Sequence, residues 1–273
     1  MKNGTAEKRK GIVRRFLAKA LALTMVFGLL APAPAMTLTA YASEMAVENL
    51  GERSCDSTVG IIEDNKSFDI QGKRSESTAY TRDNYSGFNT SYRNYGYQTY
   101  IAVNDKGNKK EIQCKKNGGV QEPDGTGVEV KMTVLPSPDN KYLFVNYYVY
   151  NKDAQEKTVY IGSCADIQID GHGSGSGDPA DSATLYKTDA GFHMLNYGNY
   201  SSFDCYTSEN ITGMPAPTHR WIGHYGSRSQ NIFTGDSGSS VSNTDSGLAY
   251  SWNFQLRPYE TVQRRVAFAC RVN

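Results

Sequence analysis

From residue 127 onward, apolar side chains recur at every second position, and this period of two limits the chain to β-structure. Val128, Val130, Met132 and Val134 alternate with Glu129, Lys131 and Thr133, the pattern of a strand with one buried face. Leu135-Pro136-Ser137-Pro138-Asp139-Asn140 ends it in a turn, because these residue types preset or tolerate turn dihedrals. Tyr142 to Tyr150 predicts a second strand, rich in aromatic and β-branched residues, and Thr158 to Ile169 a third. In meander order, with short connections, the three are expected to pair antiparallel. Further strands are predicted at 183–186, 192–197, 202–207, 247–256 and 261–272. No amphipathic pattern of period 3.6 competes with them, so the expected fold is all-β, a large antiparallel β-sandwich.

The first 42 residues carry a different pattern. Lys2, Lys8, Arg9, Lys10, Arg14, Arg15 and Lys19 precede an apolar run from Ala20 to Ala31. That run is too short to cross a hydrocarbon layer of about 30 Å but suits the core of a signal peptide. Ala40 and Ala42 provide the small residues of a cleavage site before Ser43, so export is expected, leaving a single domain over 43–273. Within it, 43–76 is more polar and reads as a lead-in segment or an edge hairpin. Without residues 1–42 the chain keeps 22 basic and 27 acidic side chains, a net charge of −5. This balance argues against nucleic acid, and the absence of a second apolar span argues against membrane insertion after cleavage. The product is expected to be secreted or surface-associated, either released or as the front piece of a longer protein. Five cysteines, Cys55, Cys114, Cys164, Cys205 and Cys270, form no C-x-x-C pair, which disfavours zinc; buried thiols and one or two disulfides both remain open.

Chemistry-bearing clusters are few. Gly235-Asp236-Ser237-Gly238 matches a serine-protease nucleophile loop, but none of His172, His193, His219 and His224 has the expected context, and no protease is inferred. Asp166, Asp170, Asp178 and Asp181 flank a Gly/Ser loop whose carboxylates suit calcium, although simple turn-forming aspartates explain them as well. Tyr92, Tyr95 and Tyr97 belong to a Tyr/Asn/Gly-rich segment from 84 to 100, where flat rings and amides suit sugar recognition; one face of a strand is the competing explanation. Trp221, His224 and Tyr225 follow an extended Met214-Pro215-Ala216-Pro217, with Gly223 and Gly226 alongside, and could be exposed on a loop or bulge. Asp166, Asp204, Glu209 and Asp245 are candidates for a glycosidase carboxylate pair, with turn and strand-end roles as the alternative.

The string Asp245-Ser246-Gly247-Leu248-Ala249-Tyr250-Ser251-Trp252, followed by Arg257-Pro258-Tyr259-Glu260, resembles a domain near the N-terminus of large secreted and wall-associated proteins of Gram-positive bacteria. The Asn151 turn, Ala165 to Ile169, Gly191-Phe192-His193-Met194 and Trp221-Ile222-Gly223 fit the same pattern, over roughly residues 95–273. The resemblance implies an uncharacterised β-rich domain of supersandwich type and supplies no catalytic residues. The expected function is a non-catalytic module that binds a glycan or cell-surface ligand, with no cofactor apart from a possible calcium ion. A carbohydrate-active enzyme with an unidentified Asp/Glu pair and a structural head domain are the alternatives.

Overall fold

A computed structural model describes residues 56–61, 67–73, 87–91, 96–115, 119–137, 142–169, 183–196, 202–242 and 244–271, all within the unit Tyr41–Asn273. The strands in chain order are β1 (Asp56–Ile61), β2 (Phe68–Lys73), β3 (Gly87–Asn89), β4 (Gln98–Val103), β5 (Lys110–Ile112), β6 (Val128–Pro136), β7 (Leu143–Asn151) and β8 (Lys157–Ile167). They continue with β9 (Ala183–Thr188), β10 (Gly191–Asn196), β11 (Ser202–Tyr206), the short helix α1 (Glu209–Thr212), β12 (His219–His224), β13 (Ser240–Ser242), β14 (Ser246–Leu256) and β15 (Thr261–Arg271). Every strand pairing is antiparallel, as expected for an all-β sandwich.

The large sheet has the order β13-β9-β10-β11-β15-β7-β6, and the smaller one β12-β14-β8-β4-β5. The expected meander of three strands therefore breaks after the second. β7 pairs with β6 and β15, whereas β8 leaves for the other sheet and pairs with β14 and β4. Alternation alone identifies a strand but not the sheet it joins. The corner between β7 and β8, and the one between β14 and β15, each carry the chain from one sheet to the other.

Between the sheets lie Val130, Val145, Tyr147, Val149, Ile161, Phe192, Phe203, Leu248, Tyr250, Trp252, Val266 and Phe268, all fully or nearly fully buried. The hydroxyls around Tyr147 in this core are paired with one another. The Tyr147 hydroxyl hydrogen-bonds to Tyr250 at 2.9 Å and to Ser163 at 2.7 Å, and Ser163 reaches Thr99 at 2.7 Å. A buried hydroxyl left without a partner would cost about 1–3 kcal/mol, so this chain of hydroxyls is what makes tyrosine tolerable there. Cys114, Cys164, Cys205 and Cys270 are buried thiols, with burial pushing Cys114 up to about 11.

β1 and β2 pair antiparallel and, with β3, form a third small sheet with β1 at its edge, while Phe68 and Ile70 of β2 enter the main core. Phe68 stacks on Tyr97 with ring centroids 5.0 Å apart, and Tyr97 meets Phe268 edge-on at 5.1 Å.

Candidate functional site

The two outer faces of the sandwich differ sharply. Over the five-stranded sheet, the segment after β12 folds back as a cover. Ile232 and Phe233 pack with Trp221, Ala102, Cys164 and Ala249, while Tyr100 and Tyr160 flank them. The Ser251 hydroxyl donates to the Ile232 carbonyl at 2.5 Å, and Lys109 reaches the Ser229 carbonyl. This face is an apolar seam sealed by its own chain.

That seam decides the fate of the predicted aromatic group. Trp221 is only 8% exposed and belongs to the seam, not to a binding surface. Of the two flanking glycines Gly223 serves the indole, since a Cβ there would lie 2.4 Å from its ring; Gly235 of the covering segment does the same at 2.8 Å. Small residues were needed here for close packing, not for a bulge. His224 is exposed and Tyr225 half-buried, with ring centroids 4.7 Å apart, and the Arg228 guanidinium sits 5.8 Å from the Tyr225 ring. Only this part of the predicted group reaches solvent.

Tyr97 is a second correction. It is fully buried, and its hydroxyl hydrogen-bonds to Thr90 at 2.9 Å, so its ring is core. Tyr92 and Tyr95 lie outside the described residues, as do Asp170, Asp178 and Asp181. Asp166 is 4% exposed on β8, opposite Gly247. Among the described residues no group of three or more His, Cys, Asp or Glu side chains is arranged to hold a metal ion. The Gly235–Gly238 loop is structural: the Ser237 hydroxyl accepts the Ile222 N–H at 2.8 Å, and Asp236 pairs with Lys187 at 2.5 Å. Lys187 holds the Asp236 carboxyl below the usual carboxylate range.

Over the first four strands of the seven-stranded sheet the outward positions are mostly polar, with Leu195 among them. Two cross-strand rows follow from the register. One runs Ser240, Tyr186, His193, Asp204; the next runs Ser242, Thr184, Leu195, Ser202. Their partners on the alternate positions, among them Leu185, Met194, Phe203 and Cys205, point into the core. Further along the same sheet, Ile211 of α1 packs on Phe144, Tyr206, Ala267 and Ala269 and closes that part of the face.

In the first row, His193 Nδ1 lies 2.9 Å from Asp204 Oδ1. The Asp204 side chain is 9% exposed and that of His193 28%, so a nearly buried carboxylate holds a ring that still meets solvent. A carboxylate only accepts, so Nδ1 carries the proton of this bond and Nε2 is the ring nitrogen left for a second partner. Tyr186 stacks beside the imidazole, with centroids 6.3 Å apart and planes 26° from parallel. The result is a fixed aromatic pair, one member with a directed nitrogen, in a surround of Ser and Thr hydroxyls. His193 and Asp204 were both visible in the sequence as isolated residues. Their pairing depends on the lengths of the β9–β10 and β10–β11 connections, which set the register, and periodicity carries no information on that.

No family model and no curated protein matches this chain. Among solved structures it is similar to a polysaccharide lyase, with 12% identity and a TM-score of 0.47 over 82% of this chain and 33% of the other. The chain thus spans about a third of the length of that protein. Among the described residues, no helix is long and apolar enough to cross a membrane.

Proposed function

We propose that this chain is an exported β-sandwich module that binds glycan through the outer face of β13, β9, β10 and β11. The observation that supports it is the Tyr186–His193–Asp204 row. Flat rings bind the C–H face of a pyranose, and the binding strength depends on holding them still before the sugar arrives. Asp204 does that for His193, and the stack does it for Tyr186. Ser240, Ser242 and Thr184 supply hydroxyls that both donate and accept, matching the hydroxyls of a sugar. His193 Nε2 adds one directed polar nitrogen.

The test is binding of residues 43–273 to a glycan array, followed by affinity measurements on the best polysaccharide for Tyr186→Ala and His193→Ala. Each substitution is expected to weaken binding about tenfold, with the melting temperature unchanged for Tyr186→Ala and lowered by about 3 °C for His193→Ala, which removes the bond to Asp204. An array without signal, or variants that bind like the parent, would reject the reading and leave a structural head domain in its place.

A further inference from the structure

The Arg257-Pro258-Tyr259-Glu260 corner has a geometry that packing does not explain. Its four residues turn the chain from β14 into β15, closed by the Glu260 N–H on the Arg257 carbonyl at 3.2 Å and by the Arg257 N–H on the Glu260 carboxylate at 2.7 Å. Proline occupies the second position and tyrosine the third, with Tyr259 at φ +59°. Turns of this kind ordinarily take glycine or asparagine at that third position, because a Cβ in the left-handed region meets the neighbouring carbonyl. The other non-glycine residue with positive φ among the described residues, Asn104, is of the type that tolerates it.

The strain is held in place by the neighbouring corner. Asn151, fully buried, donates its side-chain amide to the carbonyls of Leu256 at 3.1 Å, Arg257 at 3.0 Å and Gln155 at 2.8 Å. Its own N–H reaches the Glu260 carbonyl at 3.0 Å, and its side-chain oxygen accepts the Asp153 N–H at 3.0 Å. One side chain thus fastens both sheet-to-sheet corners, and the turn cannot relax around Tyr259.

The ring gains nothing inward from this arrangement. Tyr259 is 63% exposed, and among the described residues the only other exposed large apolar side chain is Val120. An exposed aromatic on a rigid, strained mount is a residue kept for what it meets outside. We infer that Tyr259 is a second sugar-contact residue, stacking on one pyranose ring at the corner end of the sandwich. This rests on the glycan reading above. A single ring beside exposed Arg257 is too small for a stable protein interface, which needs about 800 Å² on each side. It does match the face of one sugar.

Asparagine at 259 relieves the backbone and removes the ring, so it separates the two effects. Tyr259→Asn should raise the melting temperature by about 2 °C and weaken binding about tenfold to the polysaccharide selected on the array, measured by affinity electrophoresis. Tyr259→Phe should keep affinity within about threefold of the parent. A Tyr259→Asn chain that binds like the parent, while Tyr186→Ala does not, would overturn this inference and leave the glycan reading standing. A Tyr259→Asn chain that melts lower than the parent would overturn it too, by showing that the ring packs within the protein. A parent chain that no polysaccharide retains would remove the glycan reading and this inference together.

Discussion

The two outer faces of this sandwich are built from the same kind of strand, yet they have opposite fates. The five-stranded sheet hides Trp221 under Ile232 and Phe233, and Gly223 and Gly235 leave the room the indole needs. The first four strands of the seven-stranded sheet present hydroxyls and a stacked Tyr–His pair fixed by Asp204. The lesson concerns reading aromatics: Trp221, next to a His-Tyr pair set between glycines, was the stronger sequence signal for a site and proved to be core. The scattered Tyr186 and His193 drew less notice and form the better surface.

The comparison breaks most easily at the seam. Trp221→Ala should cost about 3–5 kcal/mol in chemical denaturation, the range for emptying a packed aromatic site. A loss below about 1 kcal/mol would mean that the cover is not part of the core.

The next effect tests whether buried polar groups are tolerated only when paired. Asp69, fully buried on β2, has its Oδ1 bonded to the Ile70 N–H at 2.8 Å, while its Oδ2 has no hydrogen-bond partner among the described residues. Burial pushes its carboxyl up to about 7, against the opposing pull of the Ser91 hydroxyl and the Ile70 N–H. The folded state therefore holds a proton that the unfolded chain releases near 3.8. Stability from this group is complete below about 4 and is lost as pH rises through about 7, by up to roughly 4 kcal/mol. Urea melts from pH 4 to 8 should show the decline, and Asp69→Asn should flatten it. A profile that rises across that range in the parent would contradict the assignment.

A smaller change should distinguish the polar face. Asp204→Ala frees the imidazole, and is expected to cost about 1 kcal/mol of stability together with about tenfold in glycan affinity, read by calorimetry. Loss of stability with full affinity would make the pair a purely structural bond. The smallest expected effect is at the rim of the seam: His224→Ala, at an exposed position, should change stability by less than about 0.5 kcal/mol. A clear loss of glycan binding in that variant would bring the His224–Tyr225–Arg228 edge back as a second binding surface.

Much of the fold was legible because backbone periodicity is a local property. Alternation from Val128 to Val134 follows from one buried face and one wet one, and the near-continuous Tyr142 to Tyr150 run follows from a central strand covered on both sides by the core and by α1. Positions whose meaning depends on a partner far along the chain were not legible. Tyr97 is core because Phe68 and Phe268 close around it, and 29 residues separate it from the nearer of the two. β8 leaves β7 because β14 and β4 offer it a ladder in the other sheet. The sequence alone determined the class of element and the buried side of each strand, since both depend on the residue and its immediate neighbours. Only the tertiary structure decided the sheet assignment, the seam over Trp221, the pairing of His193 with Asp204 and the corner that holds Tyr259, since each requires groups distant in sequence to meet at fixed register.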